Sequence, residues 1–241
     1  MILITRPKKD SYELQQKLKK IKIDSLVQEL SSFKILKSRI DLSNSIILIT
    51  SSRSIDYLVK SKTLETCKKS KFLVIGKTTS MRLRQLGCKR IIVSASNSKE
   101  LLKKSKLVLK KKETIKFLCS NIFNKELLKS LNKLNYNVVS FKVYKTLGIK
   151  KLKKSVVRNL KQDKIVAAVF FSQFSLSIFF KLCKTENIKK STLKKLHYFC
   201  ISKRVAYQAT QSGYKVHLSK EPTKDSIFKL MKIILPKFKN I

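Results

Sequence analysis

Short apolar runs alternate along the chain with longer stretches in which apolar residues recur at helical spacing. The runs at 2–5, 46–50, 72–75, 91–93, 115–119, 166–171, 198–201 and 216–218 are almost wholly apolar. That is the pattern of strands buried on both faces. Between them Leu14, Leu18 and Ile21 share one helical face, as do Leu127, Leu128, Leu131 and Leu134. The alternation predicts an α/β fold of parallel sheets flanked by helices.

The pattern also repeats. The run at 72–75 leads into Gly76 and, eleven positions on, Gly87; the run at 198–201 leads into Ser202 and, again eleven positions on, Gly213. A strand, a turn and a helix ending on glycine account for both. The run at 46–50 followed by Ser51 pairs with 166–171 followed by Ser172. Glu13, Leu14, Leu18 and Lys20 recur at Glu126, Leu127, Leu131 and Lys133, a constant offset of 113. Extended segments follow at 25–33 and 138–146. The order of the pairs predicts two similar lobes joined by two extended crossings, near 30–35 and 143–147. The first lobe is expected to be discontinuous, 1–34 with 148–241, and the second to span 35–147. Two sequential domains are the simpler alternative.

Composition changes this picture little. The apolar fraction of 43% is enough for packed cores. The net charge of +42, from 56 Lys and Arg against 14 Asp and Glu, raises a nucleic-acid or membrane-surface partner. Only 8 of those cations are Arg, the residue that reads nucleic acid bidentately. Abundant Lys, Ile and Asn beside few Gly, few Pro and no Trp match AT-rich coding. The lysines therefore read as solvated surface, with no specific nucleic-acid partner. Five cysteines without C-x-x-C spacing, and His197 and His217 without ligand spacing to them, predict buried reduced thiols and no metal site. The uncharged stretch 165–180 is too short and too serine-rich for a comfortable membrane span. A cytoplasmic protein, expected to be a monomer, fits these features.

Several motifs in order resemble the uroporphyrinogen-III synthase family over nearly the whole chain. They are Thr5-Arg6-Pro7 after the first strand, Thr50-Ser51-Ser52-Arg53, Val74-Ile75-Gly76-Lys77-Thr78-Thr79, Cys119-Ser120-Asn121, Val143-Tyr144-Lys145-Thr146, Phe170-Phe171-Ser172 and Pro222-Thr223. Two places depart from the family pattern. Ser202-Lys203-Arg204-Val205 stands where Gly-x-x-Thr is usual, and Gln28-Glu29 where Ile-Pro is frequent. The resemblance implies a cofactor-free lyase that closes hydroxymethylbilane, inverts the last pyrrole and releases water in haem biosynthesis. Its substrate carries eight carboxylates and is expected to lie in a cleft between the lobes. A non-catalytic relative that binds small anions, and a basic nucleic-acid-binding protein, are the rival readings.

Physical chemistry gives the candidate residues their roles. Ser51, Gly76, Asn121, Ser172 and Ser202 fall at strand ends, where helix N-termini offer unpaired N–H groups to anions. The Ser51, Thr79 and Ser172 hydroxyls are candidate donors, although such residues also cap helices with no ligand present. Arg6 and Arg53 are candidates for forked carboxylate contacts, and Lys203 with Arg204 for charge in place of the missing threonine. By the resemblance, Tyr144 is the catalytic candidate, a phenol that protonates the departing hydroxyl. Packing of that ring between lobes is the plain alternative.

Overall fold

The computed structural model describes residues 1–238. The chain opens with β1 (Ile2–Ile4), α1 (Lys8–Lys20), β2 (Ser25–Val27) and β3 (Ser31–Ile35). It continues through β4 (Ile46–Ile49), α2 (Ser52–Lys60), α3 (Leu64–Cys67), β5 (Lys71–Ile75), α4 (Lys77–Gln85), β6 (Ile91–Ala95) and α5 (Ser98–Val108). Then come β7 (Thr114–Ser120), α6 (Lys125–Lys133), β8 (Asn137–Gly148), α7 (Lys154–Lys161), β9 (Ala167–Phe170) and α8 (Gln173–Thr185). The last elements are α9 (Lys190–Lys195), β10 (His197–Cys200), α10 (Lys203–Gln211), β11 (Lys215–Leu218), α11 (Lys224–Ile234) and a 3-10 turn, Leu235–Phe238. All eight apolar runs are strands.

The chain falls into two compact units, Met1–Ser32 with Leu147–Ile241, and Phe33–Thr146. The first holds a five-stranded sheet in the order β11-β10-β9-β1-β2, with parallel pairing throughout. The second holds a six-stranded sheet, β3-β8-β7-β4-β5-β6, parallel from β8 to β6. Reading the second from its far edge, β6-β5-β4-β7-β8 reproduces the order of the first. The equivalences β4 with β9, β5 with β10, and α1 with α6 are those of the sequence repeat.

Each sheet has a core on both faces, as near-continuous apolar strands require. In the first unit Leu3, Ala168, Phe170 and Tyr198 meet α7, α8 and α10 on one side. Ile2, Ile4, Val169 and Phe199 meet Leu14 and Leu18 of α1 and Ile227 and Met231 of α11 on the other. In the second unit Ile47, Ile49 and Val74 pack on α2 and Leu83 of α4. Leu48, Leu73 and Phe117 pack on Leu101 of α5 and Leu127 and Leu131 of α6.

The extended segment at 25–33 is two strands in different sheets rather than one. Buried Gln28 makes the break: its Oε1 accepts from Lys153 N at 2.8 Å and its Nε2 donates to Glu29 O at 2.9 Å. Apolar periodicity carries no trace of that polar junction. All five cysteines are free and buried, and burial pushes the Cys67, Cys183 and Cys200 thiols up to about 12. No described helix is long and apolar enough to cross a membrane.

Candidate functional site

Strand ends place most of the candidate residues. In the second unit Ile49 pairs with Val74, so two residues further on Ser51 and Gly76 end neighbouring strands at the same level. Ser51 Oγ caps α2 by accepting from Arg53 N at 3.2 Å. Gly76 starts α4 at φ 101° and ψ 123°, a conformation that favours glycine, and α4 has no side-chain cap. Its first N–H groups are thus left to another acceptor. Thr79 lies buried in the first turn of α4, one turn from Gly76.

Tyr144 reaches the same edge through an irregularity. The β7–β8 register pairs Cys119 with Lys142 but Ser120 with Tyr144, so Val143 is an extra residue on β8. A bulge breaks the alternation of side chains and re-aims those beyond it. Val143 and Tyr144 are accordingly both buried, in one core with Ile55 and Leu83, while Lys142 and Lys145 are exposed. Burial pushes the Tyr144 phenol above its ordinary value of 10.0, and the neighbouring Ser51 and Ser120 side chains oppose that rise. The ring therefore stays a protonated donor at neutral pH. Ser120 is held in turn, its Oγ donating to Ile122 O at 2.6 Å and accepting from Ile122 N at 2.8 Å.

Arg53 follows Ser51 on the first turn of α2. Its guanidinium lies 3.8 Å from the Phe33 ring centroid and its Nη1 is 3.3 Å from Asp56 Oδ2. Asp56 also takes Arg82 of α4, Nη2 to Oδ1 at 2.7 Å, and Arg82 Nη1 donates to Ser52 O at 3.2 Å. Asn121 follows directly on the end of β7. It caps no helix, since Asn124 caps α6. Its Oδ1 accepts from Thr146 N at 2.8 Å and its Nδ2 donates to Thr146 O at 3.4 Å, tying the end of β7 to β8.

The first unit repeats the layout. Ile4 pairs with Val169 and Cys200 with Phe170, which sets Arg6 beside Phe171 and Ser172 beside Ser202. The Arg6 guanidinium lies 4.5 Å from the Phe171 ring centroid. Ser172 Oγ caps α8 by accepting from Ser175 N at 3.0 Å, and Ser202 Oγ caps α10 by accepting from Val205 N at 3.4 Å. Lys203 and Arg204 are exposed on the first turn of α10.

Within the second unit Ser51, Arg53 and Tyr144 are thus neighbours, with Gly76 and Thr79 one strand away. Three members were not among the sequence candidates: Ser120, Asp56 and Arg82. Asp56 is legible afterwards from its three-residue spacing to Arg53 on a helix. Arg82 comes from another helix and left no such signal. Two cavities of about 730 Å³ are present, one beside Phe33, whose ring meets Arg53, with Arg39 and Lys60, the other beside Leu152, Arg158 and Glu186. Neither takes in Tyr144 or a strand-end serine. Among the described residues no group of three or more His, Cys, Asp or Glu is disposed to hold a metal.

The sequence profile of the uroporphyrinogen-III synthase HemD family matches residues 13–229. No curated protein matches the sequence. Among solved structures, the uroporphyrinogen-III synthetase of Helicobacter pylori is similar with TM-score 0.66 and 16% identity, covering 97% of this chain and 98% of that one. A variant uroporphyrinogen III synthase from the extremely thermophilic bacterium Thermus thermophilus is similar with TM-score 0.65 and 12% identity, covering 100% of both chains. At such identities the structural likeness speaks for the fold; the profile, spanning nine-tenths of the sequence, speaks for descent. The chain belongs to the uroporphyrinogen-III synthase family.

Proposed function

We propose that this protein closes hydroxymethylbilane to uroporphyrinogen III, inverting the last pyrrole and releasing water, and that Tyr144 is its proton donor. The observation that carries the role of Tyr144 is its buried, protonated phenol beside the Ser51 and Ser120 hydroxyls. A phenol kept neutral can hydrogen-bond the departing hydroxyl of the bilane and protonate it as the C–O bond breaks. The proton is returned when the pyrrole that attacks the freed carbon loses its own. Loss of water without hydrolysis places the enzyme among lyases. The substrate is reactive by itself, so the protein's main contribution is to hold it coiled and select the carbon attacked.

The substrate-binding residues in this reading are Ser51, Arg53, Gly76, Thr79 and Asn121 of the second unit, with Arg6, Ser172, Ser202 and Lys203 of the first. The uncapped N-terminus of α4 supports a carboxylate at Gly76. The capping bond of Ser202 leaves its hydroxyl proton for a second partner, whereas Ser172 Oγ already donates to Ser175 Oγ at 2.8 Å and would have to turn from it to meet a carboxylate. Five buried free thiols suit a reducing, cytoplasmic setting. Tyr144→Phe should lower kcat about 10²-fold while KM changes by less than about twofold. Unchanged kcat would remove Tyr144 from the chemistry.

A further inference from the structure

The ion-pair cluster on α2 and α4 holds more positive charge than it neutralises. Asp56, with its side chain only 18% exposed, is shared by Arg53 and Arg82 at 3.3 and 2.7 Å. Two guanidiniums against one carboxylate leave a local excess of one positive charge. Like charges so close repel each other unless a further anion enters. Both forks are also incompletely used. Arg53 is bonded through Nη1 to Asp56, and Arg82 through Nη1 to Ser52 O and Nη2 to Asp56. Each retains N–H donors with no acceptor among the described residues.

The position of the cluster matters as much as its charge. Arg82 is the sixth residue of α4, yet its guanidinium reaches back to Ser52 O, the residue after the Ser51 that approaches the Tyr144 phenol. The Phe33 ring lies against the Arg53 guanidinium, 3.8 Å from its centroid. The side chains of Arg53 and Arg82 are 34% and 39% exposed, open enough to meet a ligand and anchored enough to be preorganised.

We propose that Arg82 is a substrate-binding residue that joins Arg53 in seating one acetate or propionate carboxylate of the substrate, with Asp56 as the positioning residue that spaces the two forks. The inference rests on the bilane-cyclising reading above. A shared carboxylate sets the guanidiniums side by side, and an incoming carboxylate then completes an alternating arrangement of two positive and two negative groups.

Arg82→Lys keeps the charge and loses the fork, Arg82→Gln loses both, and Asp56→Asn removes the spacer. Steady-state kinetics with hydroxymethylbilane should give a KM raised about tenfold in Arg82→Gln and several-fold in Arg82→Lys, with kcat reduced less than about twofold. The type III product should be retained. Asp56→Asn should raise KM as well, and the double variant Asp56→Asn/Arg82→Gln should be no worse than the worse single one. Thermal melts run alongside separate binding from packing. A strap between α2 and α4 predicts a lower Tm with KM unchanged in all three, and that result overturns the proposal. If Asp56→Asn fails to fold, the Arg82→Lys kinetics decide. Should the unaltered protein form no type III product, the bilane reading itself fails; should it form that product while Arg82→Lys keeps the original KM, only the carboxylate seat fails.

Discussion

His197 and His217 show how closely single side chains are matched here, although neither lies near the candidate site. His197 Nδ1 and His217 Nε2 are 2.8 Å apart, their rings stack at 13°, and Phe199 and Phe238 pack on them. Two ring nitrogens at that distance share one proton, so a second proton breaks the bond. Burial first, then His217 and then Lys215, lower His197 from 6.5 to about 4, and burial lowers His217. The folded protein therefore binds fewer protons here than the unfolded chain between those values. This contribution to stability is complete above pH 6.5, shrinks as pH falls below it, and is gone by about pH 4. Urea melts at a series of pH values should show a shallower acid loss in His197→Phe than in the unaltered protein. Identical slopes would dissociate the pair from acid stability. Tyr144 belongs to the same scale: its identity was readable from a motif, but its burial comes from Val143 bulging out of register, which no sequence pattern announced.

Helix ends are where composition shaped the elements. Gly87 and Gly213 follow α4 and α10 at φ 87° and 71°, as the repeat in the sequence predicted. The equivalent positions after α1, α2, α6, α7 and α8 also take positive φ but hold Lys22, Lys62, Asn135, Asp163 and Asn187. A chain with four glycines uses other residues there, at a cost of about 1–2 kcal/mol for a lysine in that region. Lys22→Gly or Lys62→Gly should accordingly stabilise the protein by up to about 1 kcal/mol, read as a higher urea midpoint with an unchanged slope. No gain would mean that the local backbone relaxes without help. The same scarcity explains what the sequence concealed. Strands were legible because they are apolar throughout, and α4 and α10 because glycine marks their ends. The other helix ends carried no such mark. β2 and β3 ran together because the buried polar break at Gln28 lies inside an extended run. At the strand ends, Ser172→Ala should cost about 1 kcal/mol through the lost cap on α8. A rise in KM beyond that loss would assign the hydroxyl to the substrate as well.

At the scale of the molecule, two sheets of like strand order each gather helix N-termini, hydroxyls and arginines at the carboxyl ends of their strands. That edge is where open parallel sheets bind ligands, and an anion-rich substrate suits what is found there. The topology explains why the repeat pairs β4 with β9 and β5 with β10 while α1 pairs with α6: the order of strands in space is kept and the order along the chain is permuted. Charge does not single out the edge, since lysine is spread over every segment. The most direct test is to incubate the purified protein with hydroxymethylbilane and resolve the uroporphyrinogen isomers formed. Mainly the type III isomer should form, faster than by spontaneous closure. Type I product alone, at the spontaneous rate, would contradict it.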